Sequence, residues 1–349
     1  MENRELLSET RKQVDDYIRD LLEQRMSQAS RVGDSYVRLW QHIATVVGAG
    51  GKRIRPYLVM VGNGAFDARA VPIAAAQELV HIAMLVHDDV IDRDFMRHGE
   101  KNINGIYREA YGKYLVDSEA VHFANSAAIL AGDALLSEAY MLVSSADYDA
   151  AIRQQLVQRL NQSIYEVIGG EFTDAESGFV TDEECDPLTI YRYKTASYSF
   201  VGPLVSGAYC ASSPQSTIAL LESYGANTGV AFQIQDDLLG VFGDSEKTGK
   251  STTTDIREGK CTLLAAYHRR HMNDEQRQRF ETIYGNPEAT VEQIEALKHD
   301  MMASGAKQKT TEHAQGFFDD AAKELARLPD GTTKTELTYL SNRLQQRDA

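Results

Sequence analysis

Two short acidic stretches have the residue types and the spacing to bind a metal ion. The first reads VHDDVIDRD and places Asp88 and Asp92 one helical turn apart on the same face. The second reads FQIQDDLLGVFGD and carries Asp236 and Asp237 in aliphatic surroundings. Like charges at this spacing repel each other, so each stretch requires a nearby cation. Carboxylates without cysteine are hard oxygen ligands that suit magnesium, and we predict one magnesium site shared by both stretches. A solvated acidic helix end is the alternative for each.

Cationic residues lie close to these stretches in the sequence. The segment GAGGKRIRP places Lys52, Arg53 and Arg55 at the start of a predicted helix. Positive side chains oppose the dipole at a helix N-terminus, so the cluster is explained if the loop binds an anion. Further cations near the acidic stretches are Arg97, His98, Lys194, Lys250 and Lys260. Acidic pairs with magnesium, surrounded by lysine and arginine, predict a diphosphate site. A flexible basic surface loop is the alternative.

Helices must position these residues. Apolar residues recur at three- and four-residue spacing, and strand-type alternation is almost absent, which predicts an all-α fold. No linker rich in Pro, Ser or Gly divides the chain and no long period repeats, so residues 1–349 are predicted to form a single domain. The predicted helices cover 5–28, 35–47, 56–66, 72–95, 102–112, 120–144, 149–172, 187–210, 215–242, 261–270, 274–284, 291–304, 306–327 and 333–345.

Composition excludes several classes of protein. With 51 acidic and 36 basic residues the net charge is −15, which argues against a broad basic surface for nucleic acid. The most apolar stretch, 124–143, contains Asp133 and Glu138, which a membrane span would bury at high cost, so no transmembrane segment is expected. Three cysteines without CxxC spacing predict neither a disulfide framework nor a cysteine zinc site, and they indicate a reducing cytoplasm.

The chain resembles the trans-isoprenyl diphosphate synthase (polyprenyl synthetase) family in a series of ordered motifs. These motifs are GGKRIRP, ELVHIAMLVHDDVIDRDFMRHG, YKTAS, FQIQDDLLGVFGD, GK and REGKCTLL, and they span roughly residues 35–270. The resemblance implies a bundle of about 10–14 helices around a central cavity, a homodimer, and a prenyltransferase reaction. In that reaction, isopentenyl diphosphate elongates an allylic diphosphate such as dimethylallyl, geranyl or farnesyl diphosphate.

The resemblance also implies roles for the residues that match the motifs. Asp88 and Asp92 would hold two Mg²⁺ ions and Asp236 a third, in a trinuclear cluster with the allylic diphosphate. The residues that would grip this diphosphate are Arg97, Lys194, Gln233, Lys250 and Lys260. The residues that would bind isopentenyl diphosphate, without a metal, are Lys52, Arg55, His81 and His98. The groups that would stabilise the allylic carbocation as dipoles are the Lys194 carbonyl, the Thr195 hydroxyl and the Gln233 amide.

Two positions depart from the family pattern. His98 stands where many relatives carry a second arginine, which weakens the expected bidentate grip on isopentenyl diphosphate. Gly240 stands where the second acidic motif usually ends in Asp, and Asp244 is a candidate to replace it. Because Asp236 remains, we expect an active enzyme.

Residues that precede Asp88 on its helix are the sequence clue to product length. Ala83 and Met84 are expected to line the tunnel for the growing hydrocarbon, since they lie one turn deeper. Ala83 leaves room, Met84 is flexible, and Gln77 further down offers a polar obstacle. We therefore predict geranylgeranyl diphosphate as product. A medium-chain polyprenyl or a farnesyl diphosphate is the alternative.

Other functions remain as alternatives. A class I terpene cyclase also ionises a prenyl diphosphate, but it does not require a second diphosphate site such as Lys52 and Arg55. A non-catalytic subunit of a heteromeric synthase is disfavoured by the intact acidic motifs. A di-iron bundle is suggested by two ExxH spacings, but it leaves the Asp pairs unexplained. The ligands it would use are Glu78, His81, Glu119 and His122, with Glu138, Glu166 or Glu171.

Overall fold

The computed structural model describes residues 3–97, 99–178, 185–243 and 252–346. These ranges hold α-helices almost throughout, which confirms the predicted all-α class. The helices up to the second acidic motif are α1 (Asn3–Ala29), α2 (Asp34–Gly48), α3 (Ile54–Asn63), α4 (Val71–Ile91), α5 (Ile103–Tyr111), α6 (Asp117–Ser144), α7 (Ala150–Ser177), α8 (Pro187–Ile190), α9 (Gly202–Cys210) and α10 (Gln215–Phe242). Those that follow are α11 (Thr254–Glu258), α12 (Leu263–His271), α13 (Asp274–Ile283), α14 (Val291–Ala303), α15 (Ala306–Arg327) and α16 (Thr332–Gln345).

Three further elements complete the described secondary structure. A 3₁₀ turn (Ala68–Ala70) leads into α4, and a short antiparallel hairpin of β1 (Met96–Arg97) and β2 (Glu100–Lys101) follows it. A π-helical segment (Tyr191–Val201) joins α8 directly to α9. Such segments are frequent at functional sites, because the wider turn redirects side chains.

The described chain forms two compact units. The first consists of Met1–Ile164 and Gly202–Pro214, and the second of Tyr165–Val201 and Gln215–Ala349. The single domain over residues 1–349 stays a prediction, and so does the central cavity.

In the first unit, α3 and α9 approach each other unusually closely. A Cβ added at Gly207 would overlap the carbonyl oxygen of Val59, and one added at Gly62 would lie 3.0 Å from the carbonyl carbon of Leu204. Any side chain at these two positions would force the helices apart. The close contact therefore fixes α3, whose N-terminal end carries the GGKRIRP loop.

In the second unit, α10 packs against the π-helical segment. A Cβ at Gly229 would lie 2.5 Å from the Cβ of Ala196, and one at Gly225 would lie 3.1 Å from the Cα of Val201. The ring centroids of Phe200 and Phe232 are 5.6 Å apart in the same contact region. The second acidic motif at the end of α10 is thus attached to a packed pair of helical segments.

The predicted helices are found with shifts at some ends, except that the one expected over 187–210 is divided into α8, the π-helical segment and α9. The helix expected to reach residue 95 ends at Ile91, since Arg93 adopts a left-handed φ of 59°. Helix α7 continues to Ser177, five residues beyond its predicted end at 172. Helix α11 was not predicted, because it lies in a stretch that reads as irregular.

Two helical stretches, Ala68–Ile91 and Asp117–Ser144, are long and apolar enough to cross a membrane by length and composition alone. Within the protein, 72% of the apolar window is buried in the first and 50% in the second. Glu138, in the second stretch, forms an ion pair of 2.7 Å with Arg25. Length and composition are therefore weak evidence for a span in either case.

The cysteines correct one expectation from the sequence. Cys185 and Cys261 form a disulfide with Cα atoms 6.3 Å apart, within the usual range for such bonds. The expectation that no disulfide fits is wrong, because 76 positions separate the two residues and no local spacing signals their proximity. Cys210 is free and buried. The cytoplasmic location stays a prediction.

Candidate active site

The first acidic site lies at the end of α4 and comprises Asp88, Asp89, Asp92 and Arg97. Asp92 ends the helix, and its backbone N–H donates to the carbonyl of Asp88 over 2.8 Å. The guanidinium of Arg97, on β1, donates to Asp88 over 2.9 Å and to Asp89 over 2.8 Å. Burial raises the pKa of Asp89, and the Arg97 hydrogen bond opposes that rise. Arg97 thus fixes the helix end from which Asp88 and Asp92 project.

Magnesium fits the chemistry of these donors. Mg²⁺ is commonly bound by one or two carboxylates together with phosphate oxygens and water. Within the described ranges, no group of three or more His, Cys, Asp or Glu side chains is arranged to hold a metal ion alone. The carboxylates therefore suit a site in which the substrate supplies further oxygens.

The cationic side chains of the basic loop before α3 have two different environments. Arg53 is only 5% exposed and adopts a left-handed φ of 50°. Its guanidinium donates to Asp15 and to Glu78, each over 2.7 Å, and to the carbonyl of Val47 over 3.1 Å. Lys52, by contrast, is exposed. The expectation that Arg53 joins the anion-binding set is therefore wrong.

Arg53 instead connects the loop to its surroundings. Asp15 belongs to α1, Val47 to α2 and Glu78 to α4, so one side chain joins three helices of the first unit. The Arg53–Glu78 pair is buried on both sides, with side chains 5% and 4% exposed. This arrangement leaves Lys52 and the partly exposed Arg55 as the loop's candidate diphosphate ligands.

His81 lies on α4, two turns before Asp88, and is partly buried. Burial, together with the charges of Arg55, Arg97 and Arg53, holds the pKa of His81 well below its usual value. The imidazole is therefore neutral at neutral pH. It suits hydrogen bonding to a phosphate oxygen rather than charge pairing.

The residues proposed to set product length occupy the buried part of α4. Ala83 is fully buried, and Met84 is partly exposed. Gln77 is 2% exposed and donates to the hydroxyl of Ser206, on α9, over 3.3 Å. The predicted polar obstacle is thus a pair of hydrogen-bonded side chains within an apolar core.

A chain of hydrogen bonds organises the residues of the second unit. Thr195 donates to the Gln233 carbonyl over 2.8 Å, and the Gln233 amide nitrogen donates to Asp237 over 2.8 Å. Tyr191 donates to the other oxygen of Asp237 and accepts from the N–H of Leu263 over 2.9 Å. Burial raises the pKa of Asp237 to about 7. Tyr191 was missed in the sequence, where an isolated tyrosine carries no signal.

Lys194 and Thr195 point to different neighbours from adjacent positions. The Lys194 ammonium lies 3.0 Å from Glu171 and 2.6 Å from Asp174, both on α7. These carboxylates stand three residues apart and so share a helix face, a signal that the sequence contained. Lys194 therefore belongs to a local network of charges in the second unit.

Lys260 lies beside two carboxylates of α11. Its ammonium is 2.9 Å from Asp255 and 3.1 Å from Glu258. Burial lowers the pKa of Lys260, but the Asp255 and Glu258 carboxylates more than offset this and raise it overall. Lys260 is thus a fixed cation three residues before α12 begins.

Three predicted residues lie outside the described residues: His98, Lys250 and Asp244. Their roles stay predictions, and so does the sharing of one site by both acidic stretches.

Several residues proposed as ligands of a di-iron centre form ion pairs with cationic side chains instead. Glu78 pairs with Arg53, Glu138 with Arg25, and Glu171 with Lys194. His122 is exposed on α6. The part of the chain that the structure describes thus offers no assembled set of His and Glu ligands.

Comparisons with known proteins agree with the motifs. The family model described as polyprenyl synthetase matches residues 37–301. Octaprenyl diphosphate synthase of Escherichia coli is 30% identical over 311 residues, covering 87% of this chain and 88% of the relative. Geranylfarnesyl diphosphate synthase of Aeropyrum pernix is 29% identical over 313 residues, covering 86% and 92%.

A solved structure extends the similarity to the whole chain. Geranylgeranyl pyrophosphate synthase of Corynebacterium glutamicum, crystallised with isoprenyl diphosphate and magnesium, is 27% identical with a TM-score of 0.88. The match covers 100% of both chains. The resemblance drawn from the motifs is thereby confirmed at the level of sequence and of fold.

Proposed function

Because the chain belongs to the polyprenyl synthetase family, we propose that it condenses isopentenyl diphosphate with an allylic diphosphate to form geranylgeranyl diphosphate. One observation carries the proposal: a cation pairs with a carboxylate at the end of the first acidic helix, and another cation pairs with a carboxylate of α11, the helix that follows the second acidic motif. These pairs are Asp88 with Arg97 at 2.9 Å and Asp255 with Lys260 at 2.9 Å. Mixed charges of this kind suit diphosphate with divalent cations.

Magnesium is the proposed cofactor, with Asp88, Asp92 and Asp236 as the residues that would hold three ions. When bound, Mg²⁺ neutralises negative charge on the leaving diphosphate. The magnesium in the C. glutamicum crystal structure supports this assignment. Arg97, Lys194 and Lys260 add positive charge from the protein, and so they would favour departure of the diphosphate.

Ionisation breaks the allylic C–O bond and leaves a carbocation. The Thr195 hydroxyl proton is engaged by Gln233, so lone pairs of its oxygen remain to stabilise positive charge. The alkene of isopentenyl diphosphate supplies the electrons of the new C–C bond. Loss of one proton to the released diphosphate then restores a double bond. Lys52, Arg55 and neutral His81 would hold the second diphosphate throughout, since it does not ionise.

The similar proteins bear names for different products, so we infer the product length from this chain's own residues. The small Ala83 leaves space below Asp88, which favours growth beyond farnesyl diphosphate. The Gln77–Ser206 pair lies deeper on α4 and would discourage an apolar tail from passing. These two features support the geranylgeranyl product.

A second copy of the chain is the proposed partner. Helix α6 exposes Phe123, Leu130 and Met141, which are 40%, 60% and 53% exposed. Their spacings of seven and eleven residues place them on one face. An apolar face of this kind supports a homodimer. Sedimentation equilibrium should give twice the chain mass, and Leu130→Glu should shift the mass toward that of one chain.

Incubation with isopentenyl diphosphate and labelled dimethylallyl, geranyl or farnesyl diphosphate tests the proposed function. Product analysis should show geranylgeranyl diphosphate, with no turnover after magnesium is chelated. Asp88→Ala and Asp236→Ala should lose orders of magnitude in kcat with unchanged helical circular dichroism. Asp330→Ala, at a side chain 97% exposed, is the control. A cyclic hydrocarbon formed without isopentenyl diphosphate would contradict the proposal and favour a cyclase.

A further inference from the structure

The disulfide between Cys185 and Cys261 joins two segments of the second unit, and each segment leads into a helix. Cys185 comes directly before Asp186, whose carboxylate caps the N-terminus of α8. Cys261 comes directly before Thr262, whose hydroxyl caps the N-terminus of α12. The backbone that carries each sulfur atom is therefore fixed on one side by a capped helix.

The bond adjoins a residue of the candidate diphosphate site. Lys260 precedes Cys261, and its ammonium lies 2.9 Å from Asp255 and 3.1 Å from Glu258. The Lys260 carbonyl accepts a hydrogen bond from the hydroxyl of Tyr284. The Lys260 side chain is 43% exposed, so the cation is held in place and is still accessible to a ligand. A change in the backbone at Cys261 would therefore displace this cation.

On the other side of the bond, the chain continues into the segment that packs against α10. Helix α8 leads directly into the π-helical segment, where the Tyr191 hydroxyl accepts from the N–H of Leu263 over 2.9 Å and donates to Asp237. The two segments thus meet twice, once through the disulfide and once through the hydrogen bond to Leu263. The closed bond ties Lys260 covalently to the helices that carry the second acidic motif.

The disulfide is accessible from one side. Cys185 is partly exposed, whereas Cys261 is only 8% exposed. In the cytoplasm predicted from the cysteine spacing, disulfides are usually transient or redox-sensing. A dithiol reductant would attack the Cys185 sulfur and release Cys261, and its second thiol would then release Cys185. The reductant becomes a disulfide, and the two electrons and two protons that it loses convert both cysteines to thiols.

We propose that the Cys185–Cys261 bond is a reversible redox site that controls how firmly the chain binds the allylic diphosphate. The closed bond holds Lys260 in place, and the dithiol form leaves its segment without a covalent tie. The inference rests on the proposed function, because Lys260 is there a ligand of the allylic diphosphate. Lys52 and Arg55, the candidate ligands of isopentenyl diphosphate, belong to the first unit, so their binding should not depend on the bond.

Steady-state kinetics of the full-length protein with and without dithiothreitol tests this inference. Reduction should raise the KM for geranyl diphosphate about 3–10-fold and change the KM for isopentenyl diphosphate less than about twofold. Cys185→Ser cannot form the bond and should show the raised KM with or without the reductant. Cys210→Ser is the matched control, because Cys210 is a free cysteine outside the bond, and it should respond to the reductant as wild type does.

Thiol counting after denaturation shows whether the bond is present in each sample. Wild type treated with oxidised glutathione should have one reactive thiol, that of Cys210, and reduced wild type should have three. The KM for geranyl diphosphate should follow the thiol count through a titration with reduced and oxidised dithiothreitol. Three reactive thiols after oxidation would overturn the inference, because the bond would then not form.

The outcomes separate this inference from the proposed function. If reduction raises the thiol count and leaves both KM values unchanged, the bond serves only the fold and the inference is overturned, while the proposed function stands. If the reductant raises the KM in Cys185→Ser as well, its effect does not pass through the bond and the inference also fails. Absence of turnover with isopentenyl diphosphate in the oxidised and the reduced protein would instead contradict the proposed function. The wild-type comparison needs no substitution, so it decides the question even where Cys185→Ser is unstable.

Discussion

Asp237 fixes the direction of the hydrogen bond between Thr195 and Gln233. In its ionised form the Asp237 carboxylate only accepts hydrogen bonds, and in that form it holds the Gln233 amide nitrogen toward itself, at 2.8 Å. The amide oxygen then faces Thr195 and accepts its hydroxyl proton over 2.8 Å. A buried residue that would contact neither substrate thus sets which atoms of Thr195 remain to stabilise a carbocation.

Asp237→Asn removes this constraint, because asparagine can donate as well as accept. We expect kcat to fall at least about tenfold, with the KM of both substrates changed less than about threefold. Steady-state kinetics with geranyl diphosphate would measure both. Tyr191→Phe is the matched control, since it removes the other hydrogen bond to Asp237 and leaves the Gln233 contact; a smaller loss is expected. An equal loss of kcat in both variants would contradict the directional role.

Arg53→Ala should destabilise the first unit. The variant leaves Glu78 buried without its cation, which typically costs about 3–5 kcal/mol in the free energy of unfolding. It should also raise the KM for isopentenyl diphosphate, because the loop that carries Lys52 and Arg55 loses its anchor. Urea unfolding and kinetics would test both effects. Lys52→Ala should raise the same KM with unchanged stability, and wild-type stability in Arg53→Ala would refute the anchor.

Ala83→Phe should shorten the product by one or two isoprene units, since the ring would occupy the space below Asp88. The rate of the first condensation should change little. Gln77→Leu should lengthen the product, because it removes the polar group that donates to Ser206. Chromatography of the dephosphorylated products would distinguish these results. Unchanged length in both variants would place the tunnel along another face of α4.

His81 should make the protein less stable in acid. Its pKa is held below the ordinary value of 6.5, so the unfolded chain binds a proton that the folded chain does not. This contribution to stability is present above pH 6.5 and is lost as the pH falls below it, by up to about 1.4 kcal/mol per pH unit. His81→Gln should show a weaker fall in melting temperature between pH 6.5 and 5. Parallel curves for the two proteins would argue against a neutral buried His81.

The sequence predicted the helices and the family because both depend on local patterns. Apolar periodicity located α4 and α10, and the ordered motifs at their ends indicated the chemistry. The direction of individual side chains depends on backbone geometry that such patterns do not encode. Lys52 and Arg53 look alike in the sequence, yet the left-handed φ of Arg53 coincides with its burial against Glu78.

The sequence likewise did not predict contacts between segments that are far apart along the chain. Cys185 and Cys261 meet although 76 positions separate them, and Asp255 reaches Gly240 from another helix. The sequence drew attention to Asp244 as the substitute for Gly240, because Asp244 is nearer along the chain. Asp255 is farther from Gly240 along the chain than Asp244 is, and yet its carboxylate lies beside Gly240.

The contacts around Lys194 depend on how many residues the π-helical segment contains. Tyr191 contacts Asp237, Ala196 contacts Gly229, and Val201 contacts Gly225, so contacts with α10 recur every five residues. This interval matches the i→i+5 hydrogen-bond spacing of a π-helix and not the four-residue spacing of an α-helix. Deleting one residue between Tyr191 and Ala196 would move the residues that follow out of register with α10 and separate these contacts from one another. Relatives with insertions or deletions are therefore expected to keep this segment at constant length and to vary in the loops.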